Sequence, residues 1–247
     1  MRVGVFDSGA GGLTVAKSLL ENPIFDEIIY YGDTARVPYG TKDSNTIIRY
    51  ALEAIEFFNN FNIDCLITAC NTVSAYSLPA MRDKAKYPIY GVIEPGVLAL
   101  CNKIKNKDAN ILIIGTRATI NSKRYQNSLE DLGYKNITSI QTGMLVPVVE
   151  EGILEGKVLD EMFNYYFKDI KTPDAIILGC THFPLISKAI YNYFNNKPLL
   201  IHSGDAIVEF LHTKGYSSSS TKPDVKIYAS DNVEGLRDIA IKWISYK

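Results

Sequence analysis

Short runs of β-branched and aliphatic residues recur along the chain, each followed by a longer stretch in which apolar residues return every three or four positions. Residues 3–6, 28–31, 65–69, 89–92, 111–115, 138–141, 175–179, 199–202 and 225–229 read as strands. Several are apolar at consecutive positions, the pattern of strands covered by helices on both faces. Between them, residues 45–60 place Ile47, Ile48, Ala51, Ile55 and Phe58 on one stripe of a helix. Regular alternation of the two patterns predicts an α/β fold built on doubly wound parallel sheets.

The pattern also repeats itself. A strand ends at Asp7-Ser8 in the first half and at Gly115-Thr116 in the second, and a later strand ends at Cys70-Asn71-Thr72 and again at Cys180-Thr181-His182. The cysteines lie 110 positions apart and the opening strands, at Val3 and Ile111, lie 108 apart. Matching offsets predict two similar lobes related by a pseudo-twofold axis. Residues 217–220 read as a loop, and the strand and helix that follow, the latter over 233–244, exceed what a second copy needs. They are therefore assigned back to the first lobe, which becomes residues 1–93 with 207–247, the second lobe being 94–206.

Composition narrows the partners. The chain has 247 residues, 47% hydrophobic and 21% charged, which excludes a disordered, collagenous or coiled-coil protein. Its net charge is -1, from 26 basic against 27 acidic residues, leaving no cationic surplus for a nucleic-acid backbone. Asp7 interrupts the only apolar run at the N-terminus, so no secretory signal is predicted, and no apolar stretch approaches the roughly 20 residues needed to cross a bilayer. The expectation is a cytoplasmic protein with no membrane or nucleic-acid partner. Its four cysteines are then thiols.

Three places carry candidate chemistry. Asp7-Ser8-Gly9-Ala10-Gly11-Gly12 follows a strand and opens a helix, a turn that suits an anion. Thr14 stands where a dinucleotide fingerprint needs its third glycine, and no Gly-Lys-Ser/Thr follows for a phosphate loop. Asp7 repels phosphate there and suits an ammonium group or a proton relay instead. Cys70 lies at the carboxyl end of an apolar strand, where open α/β sheets bind ligands, and a helix N-terminus beside it favours thiolate. Cys180 holds the same place in the second half, with His182 two residues on to hold or exchange its proton. Cysteine commonly just fills buried space, which is the reading for Cys65 and Cys101. Cys70 and Cys180 lack a Cys-x-x-Cys arrangement for dithiol redox work, and with His182 they fall short of a zinc set. What remains is acid–base chemistry from two sides of one carbon.

The blocks Phe6-Asp7-Ser8-Gly9-Ala10-Gly11-Gly12-Leu13-Thr14-Val15, Pro38-Tyr39-Gly40, Ala69-Cys70-Asn71-Thr72-Val73-Ser74-Ala75 and Gly179-Cys180-Thr181-His182-Phe183-Pro184-Leu185 resemble the signature blocks of the bacterial glutamate racemase family, in order and over nearly the whole chain. The resemblance implies racemisation of glutamate without a cofactor, between two lobes, for peptidoglycan precursors. It makes Cys70 and Cys180 the two bases, supported by Asp7 and His182. It assigns substrate contacts to Asp7, Ser8, Tyr39, Gly40, Asn71, Thr72, Thr116, Thr119, Glu150, Thr181 and His182, and it leaves a homodimer open. Because the first block begins near residue 6, regulation through an N-terminal extension is not expected. No lysine sits in a pyridoxal phosphate context, Lys17 and Lys42 included, so hydroxyl and N–H donors of Ser8, Asn71, Thr72, Thr116 and Thr181 have to stabilise carbanionic charge. Two other readings stay open: racemisation of a different amino acid such as aspartate, and a two-lobe module that clasps a ligand without chemistry.

Overall fold

The computed structural model describes residues 1–219 and 222–244. Ser220 of the predicted loop and positions 245–247 of the predicted first lobe lie outside the described residues, while 217–219 have no regular structure. The chain runs β1 (Arg2–Asp7), α1 (Leu13–Glu21), β2 (Glu27–Gly32), α2 (Ser44–Phe58), β3 (Cys65–Thr68), α3 (Asn71–Tyr76), α4 (Leu78–Lys84), β4 (Ile89–Gly91) and α5 (Ile93–Lys103). It continues with β5 (Asn110–Gly115), α6 (Arg117–Asn121), α7 (Arg124–Asp131), β6 (Asn136–Gln141), α8 (Leu145–Glu150), α9 (Lys157–Phe167), β7 (Ala175–Gly179), α10 (Ser187–Tyr193) and β8 (Leu199–Ile201). It closes with α11 (Ser203–Thr213), β9 (Asp224–Ala229) and α12 (Val233–Ile244).

Two parallel sheets form, in the orders β4-β3-β1-β2-β9 and β6-β5-β7-β8. Read from the other edge, the second sheet is β8-β7-β5-β6, which repeats the first sheet strand for strand and omits only the added β9. Register repeats as well: Val3 pairs with Cys65 and Ile111 with Ala175, at the offsets already visible in the sequence. The fold is thus an internal duplication of one doubly wound unit, and β9 returns to the first sheet by pairing with β2.

Both sheets are covered on both faces, and alternate residues of each strand serve opposite cores. Val3 and Val5 join α1, α11 and α12 on one face, while Phe6 joins α2 on the other. In the second sheet Ile111 and Ile113 face α5 and α7, and Leu112 and Ile114 face α8, α9 and α10. Helix α2 shows how the pattern becomes structure. Asp43 caps it by accepting from the Thr46 N–H at 3.0 Å, worth about 1 kcal/mol, and the stripe Ile47, Ala51, Ile55 and Phe58 is buried. Ile48, at the edge of that stripe, is only partly covered.

One local feature follows from a proline. Pro184 opens no α-helix directly: Phe183–Ile186 form a tight 3-10 turn, and α10 starts at Ser187. Proline lacks the N–H that a helix would use, but it fits the first positions of such a turn.

Candidate active site

Parallel strands bring all their carboxyl ends to one edge of each sheet, and the two edges enclose a cavity of about 390 Å3, a size suited to a small ligand. Ser8 reaches it from the end of β1, Cys70 from β3, Thr116 from β5 and Cys180 from β7. Tyr39, Gly40, Asn71, Thr72, Thr181 and His182 complete the predicted residues that line it. A larger, shallower depression of about 890 Å3 between the 152–156 segment and α10 holds none of them.

Three predicted contacts lie behind the wall instead. Asp7 is fully buried and does not line the cavity. It accepts the Gly9 N–H at 3.0 Å and the Thr181 hydroxyl at 3.3 Å. Thr119 is also fully buried; its hydroxyl pairs with those of Thr72 and Thr116 at 3.3 and 3.1 Å. Glu150 stands at the end of α8, outside the cavity, where Oε1 meets His182 Nε2 at 2.9 Å. Asn71 lines the cavity, yet its side chain is already committed: the amide donates to Ser203 at 3.3 Å and Oδ1 accepts from Tyr125 at 2.7 Å. All four stand beside the cavity, while their side chains are engaged elsewhere.

The surroundings of the two thiols differ. Cys70 is 6% exposed and directs its Sγ to the Ser8 hydroxyl at 3.5 Å. Burial, then the nearby Asp7 carboxylate, push this thiol up to about 12, and Cys180 adds to the same effect. Burial likewise pushes the Asp7 carboxyl upward, opposed by His182 and by the Gly9 N–H. Cys180, equally buried, lies 3.7 Å from His182 Nδ1. Burial disfavours a charged imidazole, but Cys180, Glu150 and Asp7 outweigh it and raise His182 to about 10. The imidazole therefore bridges a thiol on one nitrogen and a carboxylate on the other, and can hold or return a proton at Cys180.

The halves touch closely around the cavity. The Thr14 hydroxyl donates to the Thr181 carbonyl at 2.9 Å, and Thr72 meets Thr116 at 3.0 Å. At Gly11 a Cβ would fall 2.2 Å from Thr181 Oγ1 and 2.7 Å from His182 Nδ1, so only glycine permits the approach. At Gly40 it would fall 2.5 Å from Thr116 Cβ.

Sequence reasoning missed much of the wall. Val37, Arg117, Gln141, Met144, Val146, Pro147 and Tyr166 all line the cavity. Behind Tyr39 it also missed a buried Asp33 that accepts the phenol proton and pairs with Arg36 at 2.7 Å. Asp33 and Arg36 precede the Pro38-Tyr39-Gly40 block by only a few residues, a signal that charge patterning could have raised. Among the described residues, no three His, Cys, Asp or Glu side chains gather as a metal site.

Known proteins place this geometry. The Asp/Glu/Hydantoin racemase family matches residues 22–211. Over 245 residues the chain is 58% identical to a glutamate racemase of a Nitratiruptor species, covering 99% of this chain and 96% of that one. The crystal structure of glutamate racemase from Campylobacter jejuni subsp. jejuni superposes with a TM-score of 0.98 at 55% identity, over 99% of this chain and 98% of that one. Glutamate racemase from Francisella tularensis subsp. tularensis, crystallised in complex with D-glutamate, superposes with a TM-score of 0.88 at 30% identity, over 100% and 94%. With two duplicated sheets, a cysteine at the same turn of each and one cavity between them, the chain belongs to the Asp/Glu/Hydantoin racemase family, on its glutamate racemase branch.

Proposed function

We propose that this enzyme interconverts L- and D-glutamate without a cofactor, using Cys70 and Cys180 as opposed acid and base. The observation that carries the reading is the position of the two cysteines at equivalent turns of a duplicated fold, both lining one cavity. One sulfur, as thiolate, takes the α-proton, and the electron pair left on carbon delocalises into the α-carboxylate. The other, as thiol, gives its proton to the opposite face. Chirality inverts, and the two sulfurs exchange protonation states. The D-glutamate complex of the Francisella relative supports glutamate as the substrate.

The supporting groups take separate tasks. His182, held by Glu150, shuttles the Cys180 proton; Asp7, its carboxyl raised by burial, takes the Cys70 proton. Hydroxyls of Ser8, Thr72 and Thr116 and backbone N–H groups of the cysteine turns face the developing charge in an enclosed space, where such donors are most effective. The lobes of this reading are residues 1–93 with 207–247, and 94–206. The setting is the cytoplasm, and the product serves peptidoglycan precursors. Among the described residues no helix is long and apolar enough to cross a membrane.

The test is polarimetric turnover of each glutamate enantiomer by dialysed enzyme, with aspartate alongside, followed by the same reaction in D2O. Two bases predict deuterium in the product and protium retained in recovered substrate at low conversion, because the donor thiol enters each turnover carrying a solvent-derived proton. Substantial deuterium in recovered substrate from both directions would exclude opposed thiols. Faster turnover of aspartate than of glutamate would reassign the substrate.

A further inference from the structure

Asp33 follows β2 directly, and its N–H donates to the Asp7 carbonyl at 3.0 Å, which places it one residue past the carboxyl end of β2, level with Ser8 at the active-site edge of the first sheet. Its side chain is fully buried. One oxygen, Oδ2, accepts both the Tyr39 hydroxyl and Arg36 Nε, the latter at 2.7 Å. The other, Oδ1, is buried with no hydrogen-bond partner among the described residues. A buried carboxylate with an unpaired oxygen is destabilising, so stability alone is a poor reason for an acid here.

What the acid holds is a wall of the cavity. Arg36, gripped by Asp33, also pairs with Glu53 of α2 and lies 4.2 Å from the centre of the Tyr50 ring. Tyr39 also packs on that ring, with centroids 5.4 Å apart. Tyr39 is thereby fixed at its ring by Tyr50 and at its hydroxyl by Asp33. The residue after it, Gly40, is the one that presses on Thr116 of the second half, whose hydroxyl meets Thr72 beside Cys70. Burial and Asp33 both hold the Tyr39 phenol in its protonated, donating form.

We propose that Asp33 is a positioning residue: through Tyr39 it sets the Pro38–Gly40 segment at the spacing from Thr116 at which the cavity closes around substrate. It touches no reacting atom, so its contribution falls on binding of both enantiomers, equally, and not on proton transfer. The inference rests on the racemase reading above.

The experiment compares wild type, Asp33→Asn, Tyr39→Phe and the double variant with L- and D-glutamate, together with calorimetric binding of D-glutamate. Wild-type turnover tests the racemase reading by itself; its absence overturns that reading and this inference with it. Given an active wild type, Asp33→Asn is expected to raise KM about tenfold in both directions with kcat within threefold, and to weaken D-glutamate binding by the same factor. Tyr39→Phe is expected to match it, and the double variant to add less than threefold, since both act through the same Tyr39–Asp33 bond, weakened in one and removed in the other. If Asp33→Asn does not fold, Tyr39→Phe carries the test alone. Unchanged KM in Tyr39→Phe, a fall in kcat at constant KM in either variant, or full additivity of the pair would overturn the proposal.

Discussion

The two cysteine turns are copies of one another in backbone and opposites in chemistry. At the end of β1 the first half has Asp7 and Ser8, where the second half has Gly115 and Thr116 at the end of β5. Two residues after the cysteine the first half has Thr72, where the second has His182. The two turns thus share the thiol and differ around it: the Asp7 carboxylate, on the neighbouring strand β1, acts on Cys70 through its charge, while the His182 imidazole meets Cys180 from its own turn. The consequence is electrostatic. Asp7 and burial hold Cys70 protonated, while His182 stands within 3.7 Å of Cys180 with Glu150 behind it. The proposed two-base inversion needs one donor and one acceptor at the outset, and under that reading the unequal surroundings are what set two chemically identical groups apart.

The comparison breaks first at the sulfurs. Cys70→Ala and Cys180→Ala are each expected to lower racemisation by about 10^4 or more, and the double variant to be scarcely worse, because inversion needs both steps. Cys65→Ala and Cys101→Ala, away from the cavity, are expected to stay within a few-fold of wild type. Equal loss in Cys101→Ala at equal folded content would remove the distinction between strand-end cysteines and packing ones.

The helpers come next. Asp7→Asn and His182→Asn are each expected to cost about 10^2 to 10^3, within the range of general acid–base catalysis. With an equilibrium constant of one, kcat/KM has to remain equal in both directions, so asymmetry is visible only in kcat and KM separately and in primary isotope effects. Asp7→Asn is expected to enlarge the isotope effect in the direction that uses Cys70 as base, and His182→Asn in the other. Identical isotope effects in both directions for both variants would mean that the helpers are not divided between the thiols.

A smaller effect is expected where the halves press together. Gly11→Ala forces a Cβ onto Thr181 and the His182 ring, and Gly40→Ala forces one onto Thr116. Displacement of catalytic groups by about 1 Å costs on the order of 10^2 in rate. Both variants should approach that figure with little change in far-UV circular dichroism. Wild-type kinetics in Gly11→Ala would show that the Cys180 turn has room to move.

Much of this asymmetry is legible in the chain alone. Short runs rich in β-branched and aliphatic residues mark all nine described strands, and the 108 and 110 offsets mark the duplication, because both depend only on spacing along the chain. Side-chain direction does not. Glu150 and His182 are separated by 32 positions, and nothing in either segment shows that the acid faces the histidine from outside the cavity. Asn71 sits in the right turn, but its amide is used by Tyr125 and Ser203, the latter 132 residues away. Asp33 escapes notice because a lone acid after a strand resembles a solvated turn until the fold buries it under Tyr39.

The smallest effect is also the most specific to one half. His182 rises from 6.5 to about 10 on folding, so the folded state binds a proton more tightly than the unfolded one. A group of this kind contributes stability that is fully present below about pH 6.5 and is lost as pH climbs through 10. Cys70, raised from 9.0 to about 12, acts in the opposite sense on the charged form but with the same sign on proton uptake, and only above pH 9. Between pH 6.5 and 8 the slope therefore reports the Cys180 side; above pH 8 the Met1 amino group, raised by its bond to Asp26, adds a fall of the same sign. Urea unfolding between pH 6.5 and 8 is expected to show stability falling by at most about 1.4 kcal/mol per pH unit from this group in wild type. His182→Asn is expected to remove most of that slope, and Glu150→Gln to reduce it, while Cys70→Ala leaves it in place. A slope that persists in His182→Asn, or that vanishes in Cys70→Ala, would mean that the titrating group lies on the other half, and the division of helpers drawn above would have to be reversed.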